Sequence, residues 1–178
     1  MTSFSIPPVT LVLGGARSGK SGYAEKLVES QPGDWVYLAT ATAGDDEMTE
    51  RIRLHRERRG EGWRTHEEPL ALSTALQAQA KADTVILVDC LTLWLSNILF
   101  SELNVDSEVD RLLGCLPGLC GPVVFVSNEV GLGIVPGDAL SRRFRDDAGR
   151  LNQALAAVAD SVVFVAAGLP LRLKPAAS

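Results

Sequence analysis

Eight consecutive residues carry the clearest chemical signal in the chain. Gly14, Gly15, Ala16, Arg17, Ser18, Gly19, Lys20 and Ser21 fit the pattern G-x-x-x-x-G-K-[ST]. The glycines let the backbone curl so that successive N–H groups point into one hollow, and a helix starting there adds the positive end of its dipole. That combination suits a polyphosphate. Lys20 is long enough to reach the β- and γ-phosphates, and the Ser21 hydroxyl suits Mg²⁺. The pattern means this only between a strand and a helix, and the flanks comply. The apolar run 9–13 leads in, and Tyr23, Ala24, Leu27 and Val28 give the stretch 21–28 one apolar stripe. The chain is therefore expected to bind a nucleoside triphosphate.

Two further groups have matching chemistry. Val85-Ile86-Leu87-Val88-Asp89 is an apolar strand ending in an acid, the form of a Walker-B segment whose carboxylate holds Mg²⁺ directly or through water. A strand ending in a turn-forming Asp looks the same, and the P-loop upstream favours the metal reading. His55 lies in Arg51-Ile52-Arg53-Leu54-His55-Arg56-Glu57-Arg58-Arg59. On a helix Arg51, His55 and Arg59 share a face at i, i+4, i+8. Neighbouring cations disfavour a protonated imidazole, and a neutral imidazole is a nucleophile. Guanidinium groups pair well with phosphate oxygens. Attack by His55 on phosphorus and a solvated charged helix with an incidental histidine both fit this pattern.

Positioning these groups requires a sheet. Apolar runs at 9–13, 35–39, 84–89, 123–127 and 161–166 read as buried strands, with shorter candidates at 63–65 and 169–173. Helical patterns fall at 46–59, from Pro69 to Lys81, at 91–100, at 107–116 and at 139–159. Continuous apolar strands alternating with helices predict an α/β fold, a mainly parallel sheet with helices on both faces. Ligands of such sheets bind at the carboxyl ends of the strands, where the glycine-rich loop falls. No repeat or linker divides residues 1–178, so one nucleotide-binding domain is expected, with residues 1–8 as a flexible leader.

Bulk composition narrows the class. The 178 residues are 46% hydrophobic and 22% charged, as in an ordinary globular domain, and suffice for a full core. A net charge of −5 disfavours a general nucleic-acid-binding surface. Three sparse cysteines, Cys90, Cys115 and Cys120, suit a reducing cytoplasm better than a disulfide scaffold and read as small apolar residues. No apolar run approaches the roughly 20 residues that span a bilayer.

Several segments together resemble the bifunctional adenosylcobinamide kinase / adenosylcobinamide-phosphate guanylyltransferase family of cobalamin biosynthesis. They are GGARSGKS at 14–21, LAT at 38–40, DDEMTERIRLHRERR at 45–59 and W-R-T-x-E at 63–67. Further along come VDCLTLWLSNILF at 88–100, SNEVGLGIVP at 127–136 and RRFRDDAGRLNQALA at 142–156. They keep the family's order over nearly the whole chain. The NEVGxGIVP and FRDxxGRxNQ segments are far more specific than the P-loop.

The resemblance implies a RecA-like P-loop NTPase fold and two reactions. The aminopropanol hydroxyl of adenosylcobinamide is phosphorylated by GTP, with ATP an alternative donor. GMP then passes from GTP to that phosphate through a covalent adduct on a histidine, which His55 matches. Catalysis falls to His55 and Lys20. Nucleotide-binding positions carry over onto Gly14 through Ser21, onto Ala39, Thr40 and Ala41, onto Arg56, Glu57, Arg58 and Arg59, and onto Glu67 and Asp89. Ser21 and Asp89 are the metal positions. Family members look like trimers, so a homo-oligomer is implied. Gly60 stands where the family often has proline, and His66 matches no family position. Asn128, Glu129, Arg145 and Asp146 are candidates to line the corrinoid side, or else caps and surface ion pairs.

Overall fold

The five apolar runs and the shorter candidate at 63–65 lie side by side as parallel strands in a computed structural model that describes residues 3–41 and 59–174. They are β1 (Val9–Gly14), β2 (Asp34–Ala39), β3 (Trp63–Glu67), β4 (Thr84–Asp89), β5 (Val123–Asn128) and β6 (Ser161–Ala166). A last strand, β7 (Leu169–Lys174), turns back antiparallel to β6. The sheet order is β3-β2-β4-β5-β1-β6-β7. The central strands β1, β4 and β5 are buried along almost their whole length. A run of Val, Ile and Leu has no polar face to turn to water, so both faces must be covered.

The strand alternation divides the core into two layers. Leu11, Val36, Leu38, Ile86, Val88 and Phe125 point to one face. There they meet α2 (Leu72–Gln79), α3 (Leu91–Phe100), α4 (Val105–Cys115) and α5 (Ala139–Val158). Val12, Tyr37, Val85, Leu87, Val124 and Val126 point to the other face, against Ala24 and Val28 of α1 (Lys20–Glu29). Trp94 of α3 is the largest fully buried side chain, and its indole N–H donates to the Leu70 carbonyl at 2.8 Å. That bond meets the only polar demand of a large apolar ring.

Local chemistry moves several boundaries from their sequence expectations. The helix expected from Pro69 begins at Leu72, because the Glu68 carboxylate accepts from the N–H groups of Leu70 and Ala71, at 2.9 and 2.8 Å, and holds a turn. It ends at Gln79, where Ala80 is extended. The helix expected from Ser107 begins at Val105, since the Asn104 side chain caps it by accepting from the Ser107 N–H at 2.9 Å. The strand expected at 63–65 runs on to Glu67 and lies at the sheet edge. Part of the expected leader is docked. Ile6 is buried in the α1 layer, and the Ser5 N–H donates to the Gln31 side chain at 2.8 Å. The sequence shows no periodicity over six residues, so this anchoring was not legible there. The helix expected at 46–59 lies outside the described residues except for Arg59.

Candidate functional site

The glycine-rich loop rises between the centre of the sheet and α1. Gly14 ends β1, in register with Asn128 of β5 on one side and Val165 of β6 on the other. A Cβ on Gly14 would lie 2.5 Å from the Val165 carbonyl oxygen, so only glycine fits. Gly19 turns the chain into α1 with φ +94°, which also favours glycine. The turn between β6 and β7 braces the loop, with the Gly168 N–H donating to the Ser18 carbonyl at 2.8 Å. Ala16, Arg17 and Gly19 are exposed, while Gly15 and Ser21 are half-buried. Lys20 lies across the loop at 8% exposure, its ammonium donating to the Gly15 carbonyl at 3.1 Å.

The acids gather on the neighbouring strand ends. Ala39 ends β2, in register with Glu67 on β3 and with Asp89 on β4. Glu67 is exposed and Asp89 half-buried. Thr40 joins these ends. It is fully buried, and its hydroxyl donates to the Cys90 carbonyl at 2.7 Å while accepting from the Cys90 N–H at 2.9 Å. The Asn97 amide on α3 donates to the Thr40 carbonyl at 2.8 Å and to that of Pro69 at 3.1 Å. The Thr40 side chain is thus committed to the frame, and Ala39 and Ala41 border it half-buried.

Asp89 carries the sign of a cation site. Its Oδ2 is buried and has no hydrogen-bond partner among the described residues. A buried carboxylate oxygen is costly unless a donor or a cation meets it, and a hard oxygen beside a phosphate loop suits Mg²⁺. Burial first, and then the Asp89 charge, push the pKa of the Cys90 thiol up to about 11, with Lys20 opposing. One buried sulfur therefore senses both the P-loop lysine and the β4 acid. Its thiol stays protonated at neutral pH.

Sequence reasoning passed over the group beside Asp89. Tyr37 of β2 is buried, and the Arg59 guanidinium lies over its ring at 3.3 Å from the centroid. Trp63 packs edge-on against the same ring at 6.2 Å and 79°. The Tyr37 hydroxyl is held well above its usual pKa by burial first and then by the Asp89 charge; Arg59 opposes and Glu25 adds to it. Arg59, at 8% exposure, is thus at the strand ends, while His55, Arg56, Glu57 and Arg58 lie outside the described residues. A tyrosine in an aliphatic strand was the available signal.

Beyond β5, the Asn128 amide donates to the Thr92 hydroxyl at 2.6 Å, and Thr92 lies 3.1 Å from the Cys90 sulfur. Glu129 accepts from the Gly131 N–H at 2.6 Å. Arg145 pairs with its neighbour Asp146 at 3.1 Å. Arg142 donates to the Pro136 and Gly137 carbonyls, at 3.0 and 2.6 Å, and ties the loop before α5 to its first turns. Glu129 and the Arg145–Asp146 pair thus make turn and surface-pair contacts, while Asn128 bonds a buried threonine.

A phosphate loop between β1 and α1, with an acid two strands away on a mainly parallel sheet, defines a RecA-like P-loop nucleotide-binding protein. Two solved structures share the fold. A Pyrococcus horikoshii protein aligns with a TM-score of 0.57 at 13% identity, over 96% of this chain and 88% of its own. An ATPase from a bacterial type III secretion system aligns at 0.52 and 13% identity, over 93% of this chain and 56% of its own. Residues 10–173 match the family described as cobinamide kinase / cobinamide phosphate guanyltransferase, and the chain belongs to it. It is 52% identical over 166 residues to the Pseudomonas aeruginosa bifunctional adenosylcobalamin biosynthesis protein CobP, covering 92% of this chain and 96% of that protein. It is 41% identical to the Salmonella typhimurium protein CobU, covering 92% and 98%. The chain is accordingly a bifunctional kinase and nucleotidyltransferase. Among the described residues no helix is long and apolar enough to cross a membrane.

Proposed function

We propose that this single domain phosphorylates adenosylcobinamide and then guanylylates the product, drawing both groups from nucleotide held at residues 14–21. What supports the reading most is the buried Asp89 Oδ2, without a hydrogen-bond partner among the described residues, at the end of β4 on the sheet that carries the Lys20 loop, in a chain of this family. In the first step the aminopropanol oxygen attacks the γ-phosphorus of GTP or ATP, and the nucleoside diphosphate leaves. In the second, a neutral His55 nitrogen attacks the α-phosphorus of GTP and the bond to pyrophosphate breaks. An oxygen of adenosylcobinamide phosphate then attacks the histidine-bound phosphorus, giving adenosylcobinamide-GDP and freeing the imidazole. One loop serves both steps because it holds the β- and γ-phosphates, which leave together in the second. The histidine divides one hard displacement into two easier ones. Ala39, Thr40 and Ala41 would supply backbone to the nucleotide, Glu67 would meet its sugar or base side, and Arg56, Glu57, Arg58 and Arg59 would meet its phosphates.

Ser21 and Asp89 would hold Mg²⁺, which when bound neutralises charge on the phosphate oxygens. Replacing Asp89 by asparagine keeps the shape and removes the charge. The Mg²⁺ concentration giving half-maximal kinase activity is then expected to rise roughly tenfold or more, with Mg²⁺-free GTP binding little changed. An unchanged Mg²⁺ requirement would show that Asp89 is only a strand terminus.

The reaction is assigned to the cytoplasm and to a homo-oligomer, a trimer by family resemblance. Exposed apolar side chains support an assembly: Leu132, Ile134, Val135 and Leu140 around the loop after β5, and Leu169, Leu171 and Leu173 on β7. A monomer in sedimentation at micromolar concentration would exclude it. For the function as a whole, the test is GTP labelled at the α-phosphate. Label that stays on denatured protein, survives alkali and is lost in acid supports the reading. No label on an enzyme that binds GTP overturns the covalent step.

A further inference from the structure

We propose that Tyr37 is a positioning residue that joins the arginine of the phosphate site to the acid of the metal site, its ring carrying Arg59 and its hydroxyl facing Asp89. This rests on the nucleotide-site reading above and deepens it. Tyr37 lies on β2 two residues before Ala39, the register partner of Asp89. Side chains two apart share a face, so Tyr37 points toward α1 on the side that Asp89 shares. Its ring cannot swing freely, because Trp63 packs edge-on against it and is itself anchored, its indole donating to Glu29 at 3.0 Å. On that fixed ring the Arg59 guanidinium sits 3.3 Å from the centroid.

Arg59 cannot shed its charge and is almost fully buried. The ring therefore does two things. Its negative face helps bear the desolvated cation, and its plane sets where the guanidinium fork lies. The hydroxyl shares a face of the sheet with the Asp89 carboxylate and would donate to it. This engages one side of a group whose Oδ2 has no partner among the described residues. Such an outer partner orients a metal-binding carboxylate. One side chain thus sets the spacing between the cation that meets phosphate oxygens and the oxygen that meets their counter-ion. Nothing in the tyrosine's own chemistry needs to change during the reaction.

The two halves of the side chain can be separated by experiment. A fluorescent GTP analogue is titrated onto Tyr37→Phe, Tyr37→Leu, Arg59→Ala and Tyr37→Leu/Arg59→Ala, with and without Mg²⁺. Tyr37→Phe keeps the ring, so Mg²⁺-free affinity should match wild type while the Mg²⁺ midpoint of binding rises about tenfold. Tyr37→Leu should also weaken Mg²⁺-free binding by about ten- to thirtyfold, and by nothing further once Arg59 is alanine. A general loss of packing would not divide the effects in this way. An unmoved Mg²⁺ midpoint in Tyr37→Phe, or full additivity of Tyr37→Leu with Arg59→Ala, overturns the proposal. Lys20→Ala is the control for the site itself. If it binds the analogue as wild type does, the nucleotide-site reading falls and Tyr37 with it; if it loses binding while the Tyr37→Phe midpoint is unmoved, only the Tyr37 proposal falls.

Discussion

His55→Ala should leave a kinase that can no longer transfer GMP. Guanylyl transfer is expected to drop by at least about 10³-fold, because removing a covalent nucleophile removes the whole two-step path rather than one contact. Phosphorylation of adenosylcobinamide should stay within a factor of about three, since no interaction with the γ-phosphate is lost. The wild type, given α-labelled GTP and Mg²⁺ without the corrinoid, should hold acid-labile, alkali-stable label, and the variant should hold none. On the proposed reading the arginines flanking His55 in sequence would give the chemistry its direction. They would oppose protonation of the imidazole and draw phosphate oxygens toward it. If the variant takes up label like the wild type, the nucleophile is another residue, with His66 on β3 the next candidate. If it loses both activities together, His55 is a structural residue and the division into two half-reactions at two groups is wrong.

Lys20→Ala should damage both half-reactions. Its ammonium is nearly buried and lies across the loop, 3.1 Å from the Gly15 carbonyl. On the proposed reading it would exchange that carbonyl for phosphate oxygens, which carry full charge. Removing one such preorganised donor costs about 10² to 10³ in rate. The loss falls on the kinase step as missing stabilisation of the transferring γ-phosphoryl group. It falls on the guanylyl step as missing stabilisation of the departing pyrophosphate. The same ratio for both steps, measured with adenosylcobinamide and with its phosphate as acceptors, would show one shared phosphate site. A variant that keeps guanylyl transfer but loses kinase activity would mean that the two reactions use separate nucleotide sites. Lys20→Arg should not restore the rate, because a planar fork does not fit where a compact ammonium points.

The linear chain determined the glycine-rich loop between β1 and α1, the acid that ends β4, the strand runs and the bounds of α3 and α5. These depend on neighbours within a few residues: glycines at a turn, an unbroken aliphatic run, an apolar stripe at helical spacing. The resemblance to the cobinamide kinase family rested on segments that are likewise contiguous, and the family match over residues 10–173 agrees. The docking of Ile6 was decided elsewhere, because its partners belong to α1 and the sheet. So were the start of α2 at Leu72, set by a Glu68 turn, and the commitment of the Thr40 hydroxyl to Cys90, fifty residues away. Above all, tertiary structure decided the grouping of Tyr37, Arg59 and Asp89. Parallel strand pairing sets β2 beside β4 and so brings residues 37 and 89 to one face. A lone tyrosine in a buried strand reads as core until that pairing is known. Local sequence sets what each residue can do, while burial and charge, which depend on distant segments, decide which of those capacities meet.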